Sequence, residues 1–207
     1  MSPHKPHERS IDPRRTALLI VDVQNDFVHP EGVYARHGVS SSDAGDLPRR
    51  LKPVAAAVRR RHGWIVATQM TIVPARKGAG FIPEHLRNSR PFLTAGDLNP
   101  GTWGHQLANE LAPADLHVEK IATSGFYMTR LEWALRQAKV DTLLVAGLTT
   151  HLSVVATVRD ALVRDFAVMV LSDCCASYDH DLHLGGLQEL AGLTQLLASR
   201  DAADLLG

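Results

Sequence analysis

Short, continuous apolar runs alternate along this chain with stretches of helical periodicity, and that alternation narrows the fold more than any other feature. The runs are TALLIVD (Thr16–Asp22), WIVATQM (Trp64–Met70), LHVEK (Leu116–Lys120), TLLVAG (Thr142–Gly147), FAVMVLSD (Phe166–Asp173) and TQLLAS (Thr194–Ser199). Helix-like segments lie between most of them: Leu47–His62, TRLEWALRQAK, SVVATVRDALVRD and DLHLGGLQELAG. A strand apolar at every position must be buried on both faces, as in a parallel sheet covered by helices on each side. The pattern predicts a single doubly wound, Rossmann-like α/β domain with a six-stranded, mostly parallel sheet and helices on both faces. A length of 207 residues suits one domain with a sizeable core. The polar start, residues 1–15, is expected to be a flexible tail, with the domain spanning residues 16–207. One segment is too long for a simple crossover. Thr71–Pro113 holds Gly78, Gly80, Pro83, Pro91, Gly96, Pro100, Gly101 and Gly104. So long a segment in a compact domain points to a substrate-site wall or an oligomer contact.

Composition excludes several functions. Lys plus Arg and Asp plus Glu both number 22, so no basic excess marks a nucleic-acid or membrane-surface partner. The basic clusters at Arg14-Arg15, Arg49-Arg50 and Arg59–Arg61 are read as solvated helix faces and loop ends. No apolar run approaches the roughly 20 residues that cross a bilayer, and the first residues lack the apolar core of a secretory signal. The two cysteines, Cys174 and Cys175, are adjacent and cannot staple distant segments; a reducing, cytoplasmic setting is expected.

Open α/β sheets bind ligands beyond the carboxyl ends of their strands. Just past those ends stand Asp22, Gln24, Asn25, Asp26 and Phe27 after the first strand, Lys120 at the end of the third, and Ser153 near a helix start after the fourth. Each has an ordinary structural role open to it: a turn cap for Asp22, an exposed strand end for Lys120, a helix N-terminal hydroxyl for Ser153. Together on one edge they supply a carboxylate, an ammonium and a hydroxyl.

Five segments carry a family resemblance. LLIVDVQNDF, GTWGHQLANELAP, VEKIATSGFYMTRLEWALRQAKVDTLLVAG, GLTTHLSVVATVRDAL and VLSDCCAS resemble the motifs of the isochorismatase-like hydrolases, also called cysteine hydrolases, from about Thr16 onward. The resemblance implies that Asp22 is the general base, Lys120 its electrostatic partner, and residue 153 the nucleophile position. It also implies a cis peptide at Leu148–Thr149 and an oxyanion hole built from the N–H groups of Thr149 and Ser153.

The chain departs from that pattern at the decisive atom, because Ser153 stands where the family has its catalytic cysteine. A thiol of pKa about 8.5 is within reach of a carboxylate helped by lysine. A serine hydroxyl normally needs a stronger, oriented base such as histidine. His151 is unsuited, since positions i and i+2 of a helix do not face each other. Three accounts stand. The serine is an engineered Cys→Ser replacement that weakens or silences an otherwise active amidohydrolase. Or the protein hydrolyses a vinyl ether by acid chemistry through Asp22, as true isochorismatases do, with no covalent step. Or it is a non-catalytic binding protein of the same fold. GLTTHLS is closest to the cysteine branch, which favours cleavage of a C–N bond in a small amide or ureido compound.

The nicotinamidases of this superfamily carry an Asp-x-His metal cluster after the second strand; here the place reads ATQMTIVPAR, so no metal and no cofactor are expected. His180 and His183 make too small a set for zinc, His4 and His7 are assigned to the tail, and neither cysteine is expected to act as nucleophile. TSGFYMTRLE resembles the ureidoacrylate amidohydrolase and biuret hydrolase branches. Gln24, Phe27, Trp103, Phe126 and Tyr127 are the expected substrate-binding residues. Arg76, Lys77, Arg87 and Arg130 are candidates for carboxylate recognition but fit a surface role better. The family resemblance also implies a homo-oligomer.

Overall fold

The computed structural model describes residues 11–206. In chain order the strands are β1 (Thr16–Val21), β2 (Trp64–Met70), β3 (Val73–Pro74), β4 (Gly80–Phe81), β5 (Leu116–Lys120), β6 (Thr142–Leu148), β7 (Ala167–Ala176) and β8 (Gln195–Leu197). All six apolar runs enter one sheet in the order β5-β2-β1-β6-β7-β8, and every pairing in it is parallel. β3 and β4 form a small antiparallel pair apart from the sheet, inside the long glycine- and proline-rich segment. The helices are α1 (Asn25–Val28), α2 (Val33–Arg36), α3 (Ser42–Arg60), α4 (Glu84–Ser89), α5 (Leu131–Gln137), α6 (Val155–Val163), α7 (His180–Ala191) and α8 (Ser199–Leu205).

β1 shows why the apolar runs are unbroken. Leu18 and Ile20 pack with Leu47, Leu51, Val54 and Val58 of α3 and with Ala202 of α8. Ala17, Leu19 and Val21 point the other way, onto Leu131 and Leu135 of α5 and Val155 and Val158 of α6. The period-two alternation is present, but both faces are apolar because both are covered. The chain fills one half of the sheet with β1, β2 and β5, then returns to lay β6 against the other side of β1. That reversal opens a crevice at the carboxyl ends of β1 and β6.

Some boundaries differ from the sequence expectation. Residues just ahead of β1 also make contacts with the domain: Pro13–Arg15 form a turn capped by the Asp12 carboxylate, Ile11 packs on the core, and Arg15 pairs with Asp141. The first part of the expected tail, with His4 and His7, lies outside the described residues. α3 begins at Ser42 rather than near Leu47, because Ser41 Oγ accepts from the Ala44 amide and caps it. β7 runs on to Ala176, so both cysteines lie within it, after a register shift against β6 between Val145 and Gly147. Among the described residues no helix is long and apolar enough to cross a membrane.

Candidate active site

The carboxyl end of β1 delivers Asp22. Its backbone adopts a positive φ of 56°, its amide donates to the Thr68 carbonyl of β2, and its carboxylate lies 3% exposed. Thr68 Oγ1 donates to Oδ1 at 2.9 Å, and Lys120 Nζ meets Oδ2 at 2.7 Å. Lys120 ends β5, on the far side of β2 from Asp22, and is 1% exposed. The ammonium is ringed by acceptors: besides Asp22, the carbonyls of Ala122 (2.9 Å) and Thr123 (3.0 Å), and Ser153 Oγ at 3.3 Å. A fully buried charge is tolerated only with such compensation. Asp22, Lys120 and Ser153, drawn from three separated stretches of sequence, are brought together around one ammonium.

The turn that carries Ser153 is built by close backbone approach. Gly147 has φ 129°, and a Cβ there would sit 2.1 Å from the Val21 carbonyl oxygen. The Leu148–Thr149 peptide is cis. Thr150–Val154 then wind as a π-helical turn into α6. Three amides of this turn are occupied: Thr150 donates to Ser177 Oγ, and Leu152 and Val154 donate to the Thr149 carbonyl. His151 Nδ1 lies 3.0 Å from Ser177 Oγ, and burial lowers its pKa. On the outer side Gly186 of α7 packs on the backbone of His151, with only 2.8 Å for a Cβ.

A small, partly open cleft lies against these groups. Of the expected site residues, Asp22, Phe27, Thr149 and Ser153 line it. Lys120 sits behind that wall, reaching it through Asp22 and Ser153. Four expected substrate contacts lie elsewhere. Gln24 is buried as a structural tie, accepting from the Met70 amide and donating to the Met70 and His105 carbonyls. Trp103 packs edge-on against His29, and its carbonyl accepts from Asn25. Phe126 is buried near Phe166 in the α5–α6 layer. Tyr127 is 55% exposed and does not line the cleft. Gln24 was expected from its place after the first strand and the three aromatic residues as apolar walls, but their packing directs them away from this cleft.

The cleft walls that sequence reasoning missed come from short, irregular elements. Tyr34 of α2, Leu86 and Ser89 of α4, Arg90 just after it, and Tyr178 beyond β7 line the cleft, with Met70, Thr123, Leu148 and Leu152 beside the catalytic groups. Tyr34 and Tyr178 stack at 5.3 Å, and Tyr178 donates to the Phe27 carbonyl. Burial pushes the Tyr34 phenol up to about 12, against the opposing influence of Arg90. The long glycine- and proline-rich segment was the signal for a wall, and it supplies Leu86, Ser89 and Arg90. The other candidate cations are placed differently: Arg130 donates to the His117 carbonyl, Arg87 borders a separate surface groove beside Phe81, and Arg76 and Lys77 are exposed.

Neither cysteine enters the cleft lining. Burial pushes both thiols up to about 12. His183 Nδ1 is 2.8 Å from Thr150 Oγ1, an internal partner for one of the two histidines of α7. Among the described residues no group of three or more His, Cys, Asp or Glu side chains is placed to hold a metal ion.

Fold and site together define a doubly wound α/β protein with a carboxylate, an ammonium and a hydroxyl gathered at its switch point. The isochorismatase domain model matches residues 16–201, and the chain belongs to the isochorismatase-like hydrolases. It is 32% identical to a ureidoacrylate amidohydrolase, RutB, of Methylobacterium radiotolerans over 83% of this chain and 70% of that one. It is 30% identical to the ureidoacrylate amidohydrolase of Pseudomonas syringae pv. syringae, over 83% and 74%. Among solved structures it resembles a cysteine hydrolase from Pseudomonas syringae pv. phaseolicola, with a TM-score of 0.83, 25% identity and 98% of each chain covered.

Proposed function

We propose that this protein hydrolyses a C–N bond of a small amide or ureido compound, with Asp22, Lys120 and Ser153 as its catalytic residues. The observation that carries the assignment is the convergence of Asp22 and Ser153 on one wall of the cleft, around the ammonium of Lys120 behind it. The relatives named as ureidoacrylate amidohydrolases support the substrate class.

The chemistry follows from the geometry. A substrate carbonyl enters the cleft beside Ser153 Oγ, and the N–H groups of Thr149 and Ser153 receive its oxygen as charge develops there. Ser153 Oγ attacks the carbonyl carbon, and its proton passes to Asp22. The tetrahedral centre collapses, the C–N bond breaks, and Asp22 returns the proton to the leaving nitrogen as ammonia or an amine departs. Water then cleaves the ester, with Asp22 taking its proton and returning it to the serine oxygen. Lys120 holds the Asp22 carboxylate in place and stabilises negative charge near residue 153. Attack is the weak step. Alcohol oxygen activated by a carboxylate alone is a poor nucleophile, so turnover with serine is far below that of a thiol at the same place.

The test compares ammonia release from small amides and ureido acids by the native chain and by Ser153→Cys. The cysteine form should be faster by more than about 100-fold. Equal rates would show that the reaction does not pass through residue 153.

One observation favours a second assignment. Ser153 Oγ accepts from Lys120, whereas Asp22 is engaged by Thr68 and Lys120. No hydrogen bond joins Ser153 Oγ to Asp22 among the described residues, so the second assignment is hydrolysis of a vinyl ether through Asp22 without a serine adduct, for which Asp22 must first take up a proton against the influence of Lys120. In that case Asp22→Asn abolishes vinyl-ether hydrolysis and Ser153→Cys leaves it unchanged. Ligand binding without turnover in either form would identify a binding protein of the same fold.

A further inference from the structure

Among the described residues, two of those lining the cleft carry a full charge, Asp22 and Arg90. They differ in how that charge is met. Asp22 is neutralised by Lys120 at 2.7 Å inside the protein. Arg90 has no carboxylate within 4.0 Å among the described residues. Its Nη1 donates to the Ser89 carbonyl next to it, and its guanidinium lies 5.8 Å from the centroid of the Tyr34 ring. The field of Arg90 is felt across the cleft lining, where it opposes the upward shifts of Tyr34 and Tyr178. With Asp22 and Lys120 cancelling, the cleft presents one unmatched positive charge among largely apolar and aromatic neighbours.

Such an environment selects its ligand. A guanidinium offers a planar fork of donors that matches a carboxylate with two parallel hydrogen bonds. Phosphate recognition would call for further cations, and among the described residues no second cation lines this cleft. From this we infer that Arg90 is the specificity-determining residue of the cleft and that the substrate is anionic: an amide or ureido compound bearing a carboxylate, which Arg90 receives while the scissile carbonyl faces Ser153. The Tyr34–Tyr178 stack supplies the apolar wall beside it. This inference rests on the hydrolase assignment above for the identity of the reacting group, but not for the recognition of the charge.

The slow chemistry expected of Ser153 allows binding to be measured directly. The probes are N-carbamoylglycine and N-carbamoyl-β-alanine, set against ethylurea and propylurea, which replace the carboxylate by a methyl group. Calorimetry on the native chain should show at least one acid binding more tightly than its alkylurea. Arg90→Gln should weaken that acid by about 10- to 100-fold and leave the alkylurea within about twofold. Arg90→Lys should recover only part of the loss, because it keeps the charge but not the fork. In the Ser153→Cys form the Arg90→Gln change should raise KM more than it lowers kcat. Alkylureas binding as well as both acids, or Arg90→Gln weakening acid and alkylurea alike, would overturn the inference. The two assignments fail separately. Charge-selective binding without ammonia release sinks the hydrolase and leaves Arg90 standing, whereas hydrolysis of neutral ureas with no Arg90 dependence does the reverse.

Discussion

The two walls of the cleft are made in different ways. One wall is sheet-borne: Asp22 and Ser153 follow the ends of adjacent parallel strands, and Lys120 ends a third strand behind them. Ladder hydrogen bonds and near-zero exposure fix these groups. The other wall is loop-borne, with Tyr34, Leu86, Ser89, Arg90 and Tyr178 carried on short helices and their flanks. The difference separates two tasks. Bond-breaking groups must be held to fractions of an ångström and sit on the rigid element. Groups that choose the substrate sit where length and sequence are free to change without disturbing the sheet.

The largest effect should come from breaking the sheet-borne wall. Asp22→Asn and Lys120→Met each strand one member of a buried ion pair. Each should lose about 3–5 kcal/mol of stability, and Asp22→Asn should also lose about 10²- to 10⁴-fold in turnover, measured in the Ser153→Cys form. Chemical denaturation of the double variant should show a loss well short of the sum, since the two charges then disappear together. An additive result would mean that the pair is not the unit that holds this wall. A smaller cost, about 1–3 kcal/mol and occasionally more, is expected for Gly147→Ala, whose new Cβ must move the Val21 carbonyl. Its activity loss should exceed what its stability loss explains, because Val21 directly precedes Asp22.

How much of each wall can be read from the sequence follows the same division. All six sheet strands were marked by short, largely apolar runs, most fully in the central ones, and Asp22, Lys120 and Ser153 lie at or beyond the points where those runs stop. The loop-borne wall has no such period. A two-residue strand such as β3, or a single helical turn such as α2, leaves no pattern, and Arg90 is one arginine among several in an irregular segment. Gln24, Trp103, Phe126 and Tyr127 do not line this cleft for a related reason: place in the sequence says nothing about side-chain direction. Gln24 turns inward to bind Met70 and His105, and Phe126 turns to the far layer.

The smallest effect, and the one most specific to the loop-borne wall, concerns pH. His105 belongs to the long segment between β2 and β5. Its carbonyl accepts from Gln24 and Gln69, and its ring lies 2.8 Å from Thr71 Oγ1. Burial lowers its pKa, with Glu119, Asp26 and Asp22 opposing and His117 adding to the shift. Between the folded value and the unfolded value of about 6.5, the unfolded chain holds a proton that the folded chain does not. Stability from this group is therefore present above pH 6.5 and lost as pH falls below it. Hydrogen exchange should show residues 71–113 loosening between pH 7 and pH 5 before the β1–β6 ladder does. His105→Gln should flatten that difference. Equal loosening of both regions would erase the distinction between the walls.

The contact between Gly186 and the backbone of His151 bears on how the protein is made. Asp22, Lys120 and Ser153 are all synthesised before α7, yet the turn that presents the serine rests on α7. A nascent chain that stops short of His180 carries every catalytic side chain but lacks the surface that holds one of them in position. β8, which closes the edge of the sheet beside β7, comes later still. Assembly of the site is thus postponed until α7 has been made, and a chain that stops before it is chemically complete but unformed.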